Sequence, residues 1–300
     1  MATESNTTPG TIVITGSDAS GAAAVFSIDP ATGGQTTLFS GGAFSSPVGL
    51  AVDATGRILV ADADAFGGPG GIIGVDMLTE TQITVSSGGL FSNPFDVVVE
   101  ATGAILVADP HASGAGGVIR VDPSTGEQAM LSSGAELGGA LPLREVGVAV
   151  EADGSILVVE QTLAGGTQGR GRVARVDPTS GVRTVVSSGG SFASAIGLAV
   201  EADGAILVAD ANAFGGGGGV IRIDPSSGAQ TTLSSGGDFV SPLGIAVAVD
   251  GAILVADTDA FGGKGGLIRV DPVSGAQTTV ATGDTFRGPR GVALVPAITD

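Results

Sequence analysis

Short apolar runs recur along the chain at a steady beat, each stopped by a carboxylate. "ILVAD" occurs at 58–62, 105–109, 206–210 and 253–257, and a glycine-rich loop follows each copy. A second run, "VIRV" or a variant of it, ends at Asp29, Asp76, Asp122, Asp177, Asp224 and Asp271, at spacings of 47, 46, 55, 47 and 47 residues. A period in this range marks a repeat architecture. Runs this short and this rich in Val and Ile, with no 3.6-residue apolar spacing, predict strands. The unit around residue 200 carries four of them, at 197–200, 205–209, 220–223 and 231–233. Between them, "EADG" (201–204) predicts a tight turn whose glycine takes a positive φ. "DPSSG" (224–228) predicts an Asp-Pro turn, in which proline presets φ, aspartate bonds the backbone and glycine takes the left-handed position. Four short strands per repeat predict one blade of a β-propeller.

The chain ends complete the ring. The sequence opens on a second strand, "TIVIT" (11–15), and closes on a first strand, "RGVALVP" (290–296). Pairing the N-terminal strands (from residue 11) with the C-terminal strand (290–296) makes one composite blade beside five internal ones. The expectation is an all-β, six-bladed propeller of four-stranded blades with little free sheet edge. Residues 1–10 are expected to be a disordered tail, 11–296 the single propeller and 297–300 a C-terminal tail.

The pattern "PxGIAVxxDGxILVAD…VIRVDPxSG" resembles the NHL-repeat propellers. It is also similar to the wider superfamily of senescence-marker/gluconolactonase enzymes and streptogramin lyases. The resemblance covers about residues 11–296 and implies the propeller fold. For the gluconolactonase-like enzymes it implies metal ligands at the "x" of "PxG". Those slots hold Val48, Phe95, Val146, Ile196, Leu243 and Arg290, so five of six are apolar and that metal centre is not expected. The streptogramin lyases imply more than one histidine, and this chain has only His111. The same slots would line the mouth of the central channel. Arg290 and Asp96, which stands where the other repeats have the motif glycine, are the polar exceptions there. An apolar concavity with few polar groups suits a small molecule, and equally suits a plugged core.

Composition narrows the partners. The 300 residues include 30 acids against 12 bases, a net charge of −18. Such a field repels the phosphates of nucleic acid and anionic membranes, so neither is an expected partner. There is no cysteine and hence no disulfide or thiolate chemistry. No 18-residue apolar run is present, and "MATESNTTPG" has no apolar leader core. A cytoplasmic monomer is the expectation if that N-terminus is native.

The loops after "ILVAD" invite a cation. An EF-hand fails, because counting from Asp62 its fifth position is Phe66 and its twelfth Ile73. A phosphate loop fails too, because the only lysine, Lys264, is followed by Gly265. Two readings stay open. In the first, the aspartates are sheet corners that accept loop amides, with Phe66, Phe214 and Phe261 packed between blades. Alternatively Asp62 with Asp64, Asp210 with Asn212, and Asp257 with Asp259 offer oxygen ligands to Ca²⁺.

Symmetry breaks in the third blade, where the spacing is 55 residues. Ser132 to Gly147 spans 15 residues against 10 from Ser86 to Asp96, and Glu160 to Asp177 spans 17 against 14 from Asp62 to Asp76. Arg144, Arg170, Arg172, Arg175 and Arg183 are five of the eleven arginines, Glu160 replaces the usual aspartate, and His111 stands one blade away. Three functions of different class follow. The favoured one is a non-enzymatic binding propeller that takes a small molecule or protein on the loop face near blades two and three, using Arg144, Arg170 and Arg172. The second is a lyase-, hydrolase- or isomerase-type enzyme for a small apolar molecule at the channel mouth. There His111 and Glu160 act as acid and base, and Arg290 and Asp96 orient substrate. The third is a calcium-stabilised scaffold.

Overall fold

A computed structural model describes residues 10–76, 79, 81–134, 143–162 and 171–295, apart from the side chains of residues 143–145 and 162. Both predicted tails, save Gly10, and the bulk of both blade-three insertions lie outside the described residues. The chain forms six antiparallel sheets arranged as a six-bladed propeller. Blade one runs Pro47–Val52, Ile58–Asp62, Gly71–Asp76 and Thr81–Ser87 from axis to rim. Blade two is Asp96–Val99, Ile105–Asp109, Gly117–Val121 and Gln128–Ser133; blade three is Leu143–Val150, Ile156–Thr162, Arg172–Val176 and Arg183–Ser188. Blade four is Ala195–Val200, Ile206–Asp210, Gly219–Ile223 and Gln230–Ser235; blade five is Pro242–Val247, Ile253–Asp257, Gly266–Val270 and Gln277–Thr282. The composite blade takes Ile12–Asp18, Ala23–Ile28 and Gln35–Ser40 from the N-terminal end. Its innermost strand comes from the C-terminal end in two pieces, Phe286–Arg287 and Val292–Leu294, rather than as one strand over 290–296. No helix among the described residues is long and apolar enough to cross a membrane.

Burial explains the sequence pattern strand by strand. The second strands, such as Ile58–Asp62, are buried along their whole length because a blade packs on each face. They therefore read as unbroken apolar runs rather than alternating ones. Fourth strands such as Gln230–Ser235 are largely exposed and carry Thr and Ser. The core is divided into six apolar layers, each shared by two neighbouring blades. Four of these layers contain a buried phenylalanine from the connection between blades: Phe44, Phe91, Phe192 and Phe239. These, and not Phe66 and Phe214, fill the seams. The latter two are 43% and 39% exposed, and only Phe261 packs partly into a layer.

Two polar devices tie neighbouring blades. The glutamine that opens a fourth strand reaches back one blade: Gln277 donates to Ser234 Oγ (3.0 Å) and Gly236 O (2.9 Å) and accepts from Asp238 N (2.8 Å). Gln230 repeats this with Ser187, Gly189 and Ser191, and Gln128 with Ser86, Gly88 and Leu90. On the opposite face, the arginine of "VIRV" grips a glutamate at the end of the first strand. Arg120 bonds Glu100 through Nε and Nη2 and also donates to Pro178 O of the next blade (3.0 Å). Arg222 does the same with Glu201 and Pro272. Arg175 bonds Glu151 in the same manner, so it belongs to the repeat and not to the departure from it.

Candidate functional site

The aspartates that end the second strands are fully buried corner pieces. Asp62 accepts from Ser45 N (2.8 Å) and Ser46 N (2.9 Å) in the connection between blades, and from Asp64 N (3.2 Å) in its own loop. Asp109, Asp210 and Asp257 take the corresponding amides, Asp257 from Val240, Ser241, Asp259 and Ala260. A buried carboxylate needs such donors, and amides supply them without a second charge. Burial still raises the Asp257 carboxyl above its ordinary range. The second members of the proposed cation pairs, Asp64, Asn212 and Asp259, are exposed while the first are buried. Among the described residues, no three acids, histidines or cysteines are grouped to hold a metal ion.

The glycine-rich loops carry strain. Phe66, Ser113, Phe214 and Phe261 have φ of 61°, 51°, 56° and 53°, a left-handed backbone that side chains with a Cβ resist. The phenyl rings lie over the first residue of the third strand. A Cβ at Gly71 would come 2.8 Å from the Phe66 ring, and one at Gly219 2.7 Å from the Phe214 ring.

Blade three replaces this corner as a unit. Glu160 stands at the aspartate position, Arg172 at the glycine position and Arg183 at the glutamine position. Glu160 is fully buried and is clamped between Arg172 Nε and Arg183 Nη1, while Arg183 Nε donates to Ser132 Oγ of blade two (2.6 Å). A carboxylate enclosed by two guanidiniums offers no exposed face for proton transfer to a substrate. His111 lies in the blade-two loop and is half-buried, its backbone amide bound to Asp109. Arg170 and the side chain of Arg144 lie outside the described residues. The triple replacement was visible only piecemeal in the sequence; aligning the units column by column would have shown the three changes falling in one blade.

The channel gathers the remaining candidates. A cavity of about 420 Å³ runs along the axis, lined by the first strands of all six blades. Val48, Phe95, Val146, Ile196, Leu243 and Arg290 form one ring of its wall, and below it the chain is pinched by glycines. A Cβ at Gly291 would come 2.5 Å from Val48 O, and one at Gly197 or Gly244 would overlap the carbonyl of Leu243 or Arg290. Asp96 is the single non-glycine in this second ring, and Gly49 gives it room: a Cβ there would meet the Asp96 backbone at 2.6 Å. The carboxylate is held by Val97 N on Oδ1 (2.9 Å) and Val148 N on Oδ2 (3.0 Å). Burial pushes its carboxyl up to about 7, against the pull of those two amides. Among the described residues, Asp96 and Arg290 are the only charged ones of the lining. Arg290 is exposed at the rim, its Nη1 3.4 Å from Ser46 Oγ.

No family model matches the chain, and no curated protein matches it. Solved structures do. TolB from Acinetobacter baumannii superposes with a TM-score of 0.70 at 17% identity, over 96% of this chain and 67% of that one. A gluconolactonase from Xanthomonas campestris, XC5397, gives 0.64 at 15% identity, over 94% and 87%. Virginiamycin B lyase from Staphylococcus aureus gives 0.53 at 16% identity, over 78% and 69%. At these identities the likeness is one of fold: this chain shares the β-propeller of all three.

Proposed function

We propose that the protein is a binding propeller whose ligand is a small, largely apolar molecule held in the central channel and entering past Phe95 and Arg290. The observation that carries this reading is Asp96. Five of six repeats place glycine in the second ring, where inner strands approach too closely for a side chain, and the sixth places an acid in an apolar wall. A lone acid in such a wall costs stability, and a site is the usual reason to keep one. Phe95 and Asp96 belong to blade two, so the reading keeps the favoured side of the ring and moves the site from the loops to the axis. A carboxyl near 7 also suits proton transfer at neutral pH, which favours an enzymatic variant in which Asp96, not Glu160, is the acid or base. Native against denaturing mass spectrometry tests the binding reading. Freshly purified protein is expected to retain an organic mass that a channel-filling Leu243→Trp variant lacks. Equal retained mass in both would refute it.

A further inference from the structure

The chemistry of the channel wall selects among apolar ligands. Resting on the channel reading, we infer that the site prefers a cationic amine with an apolar body over its neutral or anionic counterparts. Among the described residues Asp96 is the single acidic one in the lining, and each of its oxygens has accepted one amide, which leaves further acceptor capacity on a carboxylate of the cavity wall. The strands packed against it bring Gly49, Ala108 and Val148 to it, and among the described residues no cation or second acid faces it. Arg290 does not neutralise it: its guanidinium sits exposed at the rim beside Ser46, where solvent screens it. The wall therefore offers an acceptor and no side-chain donor at depth. An ammonium entering there gains a charge-assisted hydrogen bond, a neutral hydroxyl gains an ordinary one, and a carboxylate meets a like charge. The net charge of −18 adds attraction for cations at long range.

Three probes that share one apolar body separate the possibilities: benzylamine, benzyl alcohol and benzoate, titrated calorimetrically at pH 8 into wild type, Asp96→Asn and Leu243→Trp. Benzylamine is expected to bind wild type at least tenfold tighter than benzyl alcohol, with benzoate weakest. Asp96→Asn should abolish the preference while retaining benzyl alcohol. If benzyl alcohol equals benzylamine in wild type, and Leu243→Trp abolishes both, the amine preference is wrong and the channel site stands. Benzoate binding tightest would overturn the inference in favour of Arg290 as the anchor. Binding by none of the three would overturn both readings. The wild-type ranking decides the matter even if Asp96→Asn fails to fold.

Discussion

Asp96 ties the site to the stability of the whole ring, and the link can be measured without knowing the ligand. In the folded protein its carboxyl titrates near 7, against an ordinary 3.8. Below 3.8 both states hold the proton and Asp96 costs nothing. Between 3.8 and 7 the unfolded chain ionises while the folded chain does not, so stability falls as pH rises, and above 7 the full penalty is present. A shift of about three units corresponds to about 4 kcal/mol at 1.36 kcal/mol per unit, an upper limit because channel water screens the charge. Asp96→Asn keeps the shape and removes the titration. Its stability relative to wild type should therefore grow by up to about 2.7 kcal/mol between pH 5 and pH 8, the part of the shift that falls in that window. Urea unfolding of both proteins at four pH values measures the gap directly. The other acids cancel in the comparison, including Asp18 and Asp122, which serine hydroxyls hold down to about 2. A gap that stays constant, or closes as pH rises, would show that Asp96 is already ionised in the folded protein at pH 5 and would sink the reasoning.

Three further substitutions probe the frame around the site. Glu160→Gln leaves the buried Arg183 without its carboxylate and should lower unfolding free energy by about 3–5 kcal/mol in urea titration. Gly197→Ala drives a methyl into Leu243 O between blades four and five, so a loss of at least about 2 kcal/mol is expected, against about 1 kcal/mol for Gly204→Ala, whose Cβ would meet open space. Ser113→Gly relieves an exposed left-handed residue and should raise the urea midpoint, by about 1 kcal/mol in free energy.

The sequence carried the fold because the repeat states every rule six times. Runs such as "ILVAD", the Asp-Pro turns and the split composite blade were legible as periodicity and turn chemistry, and the structure repeats them blade by blade. The channel ring was legible too, because counting to one slot per repeat finds the residues that meet at the axis. Contacts between repeats were not legible. Whether Asp62 faces a cation or the amides of Ser45 and Ser46 depends on where the preceding connection lies. Whether Phe66 or Phe91 enters a seam depends on a left-handed turn that the letters "DAFGG" do not announce. The role of Gln277 depends on the blade before its own.

Departures from a repeat fall into two kinds, and the structure separates them. At Glu160 the departure is compensated in charge: the longer acid, the arginine in place of glycine and the arginine in place of glutamine occur together and pair with one another, although Arg172 Nη2 is buried without a hydrogen-bond partner. Such a set balances its own charge and ties blade three to blade two through Ser132, so Arg172 and Arg183 are explained in good part by packing. At Asp96 the departure is charged and uncompensated. Gly49 supplies space and two amides supply hydrogen bonds, but no cation among the described residues answers the charge. A ring that could have closed on a sixth glycine instead keeps an acid at a cost in stability above neutral pH. A local rule broken without a partner inside the fold points to a partner outside it. By that reasoning the place to look for this protein's ligand is the axis beside Phe95 and Asp96, ahead of the glycine-rich loops that the sequence displays most prominently.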